Sequence, residues 1–261
     1  ATIFNCDSIQ VYKELNCGSA KPTLEERRGV DHRLFDLLSA PEVMTAGKYR
    51  EVFLSEVEKF PFNKPIFVVG GTGFYFMALE KGMFHVSETP PELKAQIQRE
   101  WEEGGGKTES FYEELKKRDP QHAQKIHMND TYRILRAIEI LRMHPDKNLT
   151  QLVLEKACED SEFEIFKANF HVEVPELEKR IRVRTQKMLK QGLLEEVKSL
   201  LDNGLEHWAP LNSVGYFEAK QFFRGELSTQ DLEERIIIST RQLAKKQRTW
   251  FQRDDHHCVI T

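Results

Sequence analysis

Short apolar runs and amphipathic stretches alternate along the first third of the chain. Thr2-Ile3-Phe4-Asn5-Cys6 is a compact, mostly apolar run that ends at Asp7 and reads as a strand. Leu24 to Val30 and Ala46 to Lys59 have helical spacing, and in the second Tyr49, Phe53, Leu54 and Val57 share a face. Pro65-Ile66-Phe67-Val68-Val69 is continuously apolar, the pattern of a strand buried on both faces of a parallel sheet. Gly70-Gly71-Thr72-Gly73 follows it, and a helix is expected from Phe74 to Lys81. Strand, glycine turn and helix in that order predict an α/β core.

From about Ser87 to Ala157 strand patterns disappear and charged helical segments take over. Pro90-Pro91 opens one predicted helix and Asp119-Pro120 another. Asn129-Asp130 caps a third, Thr131 to Met143, whose apolar face holds Ile134, Leu135, Ile138 and Leu141. The expected organisation is therefore an α/β core from 1–86 and 158–261, with a helical insertion at 87–157. In the returning core, Phe166 to Val174 reads as a strand. Pro175 starts a long helix that Gly192 stops after Gln191, and a last helix runs from Thr229 to Phe251.

Composition narrows the class. The chain has 261 residues, of which 39% are hydrophobic and 31% charged, as in a globular protein rather than a disordered or fibrous one. No apolar run approaches the roughly 18 residues that span a bilayer, so no membrane association is expected. Ala1 to Cys6 is too short for a signal peptide. Cys6, Cys17, Cys158 and Cys258 form no CxxC pair, which argues against a zinc ribbon and fits a reducing cytoplasm. The tail His256-His257-Cys258 lacks a second ligand pair and reads as polar tail rather than metal site. The chain opens Ala1-Thr2-Ile3-Phe4, without Met and inside the expected strand, so a preceding segment is expected.

Net charge is −4, which taken whole argues against a generally basic nucleic-acid binder. The distribution changes that reading. Lys179, Arg180, Arg182, Arg184, Lys187 and Lys190 fall in an acid-free stretch, and Arg235, Arg241, Lys245, Lys246, Arg248 and Arg253 fall in another. Those stretches carry +12, so the rest of the chain carries −16. Arg180, Arg184 and Lys187 share one helix face, Arg241, Lys245 and Arg248 a second, and Arg133 and Arg136 a third. Such faces favour anion binding over a merely solvated surface.

Two segments could carry chemistry. Asp7-Ser8-Ile9-Gln10 lies past the carboxyl end of the first strand, the edge where open α/β sheets hold ligands. An Asp there can accept a proton, although capping by Asp7 or Ser8 explains the segment as well. Gly70 to Gly73 lets a backbone approach an anion at a helix N-terminus, with Thr72 adding a hydroxyl; a tight turn with a Thr cap is the alternative. Gly104-Gly105-Gly106-Lys107-Thr108 is not a P-loop: Trp101 stands at the first glycine position and no buried strand precedes it.

These segments, in order, resemble the bacterial tRNA dimethylallyltransferases (tRNA isopentenyltransferases) over nearly the whole chain. The resemblance rests on Asp7 to Lys13, Gly18 to Thr23, Val69 to Tyr75, Asn129-Asp130 with Arg133 to Ala137, Val214-Gly215-Tyr216, and Thr240 to Gln247 with Thr249-Trp250. It implies a P-loop-kinase-like parallel sheet core and an inserted all-helical domain that grips the tRNA anticodon stem-loop. It implies transfer of the dimethylallyl group of dimethylallyl diphosphate to N6 of adenosine 37, with Mg²⁺ accompanying the diphosphate. By the same resemblance Asp7 is the general base and Thr72 and Arg184 hold the diphosphate. Ser8, Ile9, Gln10, Lys94, Tyr132, Arg133, Ile134, Leu135, Arg136, Arg241 and Lys245 join Asp7 and Thr72 as tRNA contacts. A cytoplasmic monomer is expected.

Departures are Ser19 where Thr is usual, Asn212 where basic residues or Gln are common, and Lys94 for Arg. The resemblance also places a phosphate-binding loop ahead of Ala1, and a chain truly starting there is expected to be inactive or severely impaired. The alternatives are an adenylate isopentenyltransferase, which needs no long helical insertion, and a small-molecule kinase of P-loop fold, which gives no reason for Asp7-Ser8-x-Gln10. A non-catalytic RNA-binding module gives no reason for Asp7 and Thr72 at strand ends.

Overall fold

Strand β1 (Thr2–Asn5) is the centre of a three-stranded parallel sheet, flanked by β2 (Asp31–Arg33) and β3 (Ile66–Val69). Thr2 pairs with Asp31 on one side and Ile66 on the other, and the register carries Asn5 opposite Val69. The computed structural model describes residues 1–61, 65–82, 89–155, 164–252 and 258–260. Helix α1 (Ala46–Glu58) begins where the Thr45 side chain accepts the Lys48 N–H. It buries Tyr49, Phe53 and Val57, and the Phe4 ring of β1 meets Phe53 edge-on at 5.5 Å. Helix α2 (Gly73–Lys81) leaves directly from the glycine turn after β3.

The expected helix at Leu24 to Val30 is a set of turns instead. Thr23 and Glu26 form a reciprocal capping pair, with Thr23 Oγ1 accepting the Glu26 N–H and Glu26 Oε2 accepting the Thr23 N–H. One turn later Arg28 and Gly29 take φ of +49° and +73°, which ends helical geometry and feeds β2. The strand 65–69 also differs from its expected double burial. β3 alternates, with Phe67 and Val69 each 53% exposed, because among the described residues that face of the strand is left uncovered.

Two compact units divide the chain, residues 1–80 with 162–261 and residues 81–161. The second unit is helical among its described residues: α3 (Pro91–Glu103), α4 (Glu109–Arg118), α5 (Pro120–Ala123), α6 (Thr131–Met143) and α7 (Leu149–Glu155). Leu115, Ile134, Ile138 and Leu141 are fully buried in its core. Gly105 and Gly106, at φ of +72° and +73°, turn the chain out of α3, which is what the glycine run does here. Asp119 is buried and anchors the unit: it accepts the His122 N–H at 2.9 Å and the Thr150 N–H at 2.8 Å. Burial alone would raise its carboxyl. The bonds from His122 and Thr150 outweigh that and hold it below the usual carboxylate range.

The first unit resumes with β4 (Ala168–Phe170), α8 (Val174–Lys190), α9 (Leu193–Asp202), a 3₁₀ turn (Ala209–Asn212), α10 (Tyr216–Phe223) and α11 (Thr229–Phe251). Gly192, at φ +103°, separates α8 from α9. Cys258, the last residue of the stretch read from sequence as polar tail, opens β5 (Cys258–Ile260), which pairs parallel with β4. Cys158, Arg253, His256 and His257 lie outside the described residues. No helix among the described residues is long and apolar enough to cross a membrane.

Candidate active site

The carboxyl ends of β1 and β3 hold the two segments singled out by sequence, and they touch. The Ser8 N–H donates to Thr72 Oγ1 at 2.9 Å, and the Thr72 hydroxyl donates to Ser8 Oγ at 3.2 Å. Behind them Cys6 N–H donates to Val69 O at 2.8 Å and Thr72 N–H to Cys6 O at 3.3 Å. Asp7 has a structural role in the turn that follows β1. Its Oδ1 accepts the N–H groups of Ile9 and Gln10 at 2.8 and 3.2 Å, closing a tight turn. Its Oδ2 has no protein partner among the described residues and is the acceptor left for chemistry. Ile9 is half-buried, and the Gln10 side-chain amide donates to Ser19 O at 3.0 Å, tying down the loop at Gly18 to Lys21.

The glycines of the turn are required by close approach. A Cβ on Gly70 would lie 2.1 Å from the carbonyl oxygen of Cys6. One on Gly71 would lie 2.3 Å from Gln247 Nε2, which donates to Gly71 O at 3.0 Å, and one on Gly73 would enter the Trp250 ring. The turn is thus clamped between β1 and the far end of α11. Gly18 has the same origin: the Tyr216 ring occupies the space of its Cβ. Tyr216 in turn donates to Glu196 Oε1 at 2.6 Å.

The basic faces are less bare than the sequence implies. Acids distant in sequence reach them: Glu178 pairs with Arg241 at 2.6 Å, Glu234 with Arg182 at 3.2 Å and Glu26 with Lys187 at 3.1 Å, and Glu176 pairs with Arg180 at 2.7 Å. Arg184 on α8 is exposed and makes no ion pair among the described residues; Lys245 on α11 and Lys94 on α3 are also exposed. Arg184 has no hydrogen bond to Thr72 or Asp7. In the second unit Tyr132 is 80% exposed at the start of α6. Arg133 pairs with Asp130 at 3.4 Å and Arg136 with Glu139 at 2.6 Å, so that face too carries acid partners. Ile134 is fully buried and Leu135 packs against the core, so their side chains hold the helix rather than face solvent.

A family model described as "IPP transferase" matches residues 10–254. A tRNA dimethylallyltransferase of Bdellovibrio bacteriovorus is 48% identical over 254 residues, 97% of this chain and 82% of its own length. The chain belongs to the IPP transferase family. A tRNA dimethylallyltransferase of Trichormus variabilis is 36% identical over 253 residues, 97% of this chain and 82% of that protein. The crystal structure of a tRNA isopentenylpyrophosphate transferase from Bacillus halodurans superposes with a TM-score of 0.68 at 25% identity, covering all of this chain and 81% of that one. A eukaryotic dimethylallyltransferase acting on tRNA gives a TM-score of 0.78 at 23% identity, over 96% of this chain and 63% of its own, a likeness of fold.

Several residues that build this family member's site escaped the sequence reading. Asn5 donates from Nδ2 to Leu34 O at 3.1 Å and accepts the Asp7 N–H at 3.2 Å, setting the exit of β1. Tyr49 donates to Asn5 O at 2.7 Å. The one signal was a polar Asn in an otherwise apolar run. Cys6 beside them is no nucleophile: burial first, and Asp7 as a lesser cause, push its thiol up to about 12, with the Tyr49 bond opposing. Among the described residues no group of three or more His, Cys, Asp or Glu side chains could hold a metal ion. The donor set therefore does not fit a metal caged by these side chains.

Proposed function

We propose that the chain transfers the dimethylallyl group of dimethylallyl diphosphate to N6 of adenosine 37 in the tRNA anticodon stem-loop. The observation that carries this reading is the hydrogen-bonded junction of Asp7-Ser8 with Thr72 at the carboxyl ends of adjacent parallel strands, in a chain of this family. The N6 amine attacks the allylic C1; the C1–O bond breaks and diphosphate leaves with the bonding pair. Asp7 Oδ2 accepts the N6 proton as the C–N bond forms, since an adenine amine is a weak nucleophile. Thr72, the Ser8 hydroxyl to which it donates, and Arg184 would face the charge that grows on the diphosphate. Mg²⁺ accompanying the diphosphate would offset part of the charge on the leaving group.

Ser8, Ile9, Gln10, Lys94, Tyr132, Arg133, Arg136, Arg241 and Lys245 would position the RNA, by phosphate contacts and by stacking on exposed Tyr132. The buried Ile134 and the core-packed Leu135 would act through the helix that presents their neighbours. The adenine must leave its stack to reach Asp7. A P-loop-kinase-like core, a cytoplasmic location and a monomer complete the reading. The test offers labelled dimethylallyl diphosphate to the full natural chain with either tRNA or AMP. Label on tRNA supports the proposal; label on AMP alone overturns it in favour of a free-nucleotide enzyme.

A further inference from the structure

In the run Lys245-Lys246-Gln247-Arg248 the one uncharged residue reaches the glycine turn. Gln247 Nε2 donates to Gly71 O at 3.0 Å, from 176 positions along the chain. That carbonyl shares a planar peptide unit with the Thr72 N–H, which donates to Cys6 O at 3.3 Å. One rigid plate is thus held at its oxygen by α11 and at its N–H by the residue after β1. The plate on the other side of Thr72 is held as well, because Thr72 O accepts the N–H groups of Tyr75 at 2.9 Å and Phe76 at 3.3 Å. Those bonds come with α2 itself, whereas the Gln247 bond comes from outside the turn and is shorter than the one from Thr72 to Cys6. Fixing both plates fixes φ and ψ of Thr72 and therefore the direction of its Cβ. A β-branched side chain then has few choices of χ1, and Thr72 Oγ1 falls where it accepts the Ser8 N–H at 2.9 Å.

Thr72 is proposed to face the charge that grows on the departing diphosphate. Donors that stabilise such charge act by being in place before it develops, and a displacement of about 1 Å can cost roughly a hundredfold. We infer that Gln247 is a positioning residue for Thr72: its side-chain amide orients the Gly71–Thr72 peptide and so keeps the Thr72 and Ser8 hydroxyls facing the leaving group. An amide suits the place. It donates without adding a charge to Lys245, Lys246 and Arg248, and the absence of a Cβ on Gly71 lets it approach. The inference rests on the reading of Thr72 as a leaving-group contact and requires no contact between Gln247 and substrate.

Gln247→Met and Gln247→Glu in the full natural chain remove the donor while keeping the length of the side chain. Both are expected to lower kcat by about ten- to a hundredfold. KM for tRNA and for dimethylallyl diphosphate stays unchanged, since the hydroxyl acts as charge develops rather than in the ground state. Thr72→Val closes a double-mutant cycle. Because Gln247 acts through the Thr72 hydroxyl, adding Gln247→Met to Thr72→Val lowers kcat no further. Losses that multiply in the double variant overturn the inference and mark Gln247 as a packing residue, whatever happens to Tm. Normal kcat in Gln247→Glu also overturns it, because that variant keeps the shape and lacks the donor. So does a change confined to either KM, which marks binding without positioning. Near-normal turnover in Thr72→Val is a different failure: it removes the reading of Thr72 and the inference with it. An impaired Thr72→Val beside an unaffected Gln247→Met removes only the role of Gln247.

Discussion

On the proposed function, Asp7 combines two duties on one carboxylate, and the oxygens divide them. Oδ1 closes the turn over Ile9 and Gln10, while Oδ2 stays open. Asp7→Ala therefore removes both the proton acceptor and the turn lock. Transfer is expected to fall by at least about a hundredfold, the range for a positioned base, while tRNA binding persists; near-normal turnover in a single-turnover assay would remove Asp7 from the chemistry. Gly70 is equally exacting for a different reason. A Cβ there would lie 2.1 Å from the backbone oxygen of Cys6, just past the central strand, and a carbonyl held in the main chain cannot swing aside as a side chain could. Gly70→Ala should cost about 2 kcal/mol or more by forcing strand and turn apart, read as a lower midpoint in chemical denaturation. Thr72 would move with the turn, so activity should fall as well.

At the scale of elements, the amphipathic helices were legible and the short irregular ones were not. Tyr49, Phe53 and Val57 repeat at helical spacing and are buried as that spacing requires. Leu24 to Val30 had a helical start but not a helical end, because a left-handed pair at Arg28 and Gly29 stopped it after one turn. Strand β2, three residues long, offered too little periodicity to be seen. The Asp119 cluster joins α4, α5 and α7 through a single buried carboxylate. Its carboxyl is held low in the fold, so the stabilisation it gives is complete above its ordinary value near 3.8 and disappears as pH falls through the lower folded value. Asp119→Ala should destabilise the chain at neutral pH by about 1–3 kcal/mol, leaving the Thr150 hydroxyl and two N–H groups without their acceptor. The deficit relative to the parent should shrink under acid, measured as the difference in denaturation midpoint between pH 7 and pH 2.5.

For the whole molecule, net charge is a poor guide to partners. The −4 total is a sum over basic helices and an acidic remainder, and the fold brings some of those acids onto the basic faces. Exposed pairs such as Arg241 with Glu178 hold weakly, by about 1 kcal/mol or less, so an RNA phosphate can compete for the guanidinium. Arg241→Glu is expected to weaken tRNA binding and lower the slope of log K against log salt by about one contact. An unchanged slope in a filter-binding titration would take that stretch of α11 out of the interface.

The sequence by itself determined the α/β order at the start, the helical texture of the middle, and the family, because apolar period and short motifs are local and survive without contacts. It marked Asp7 and Thr72 as residues of interest but not their junction. Only the tertiary structure decided that Ser8 and Thr72 share a hydrogen bond across 64 positions, that Glu178 faces Arg241, and that Ile134 is core. Each of those depends on which distant groups meet, and pairing between remote segments leaves no period in the chain to read.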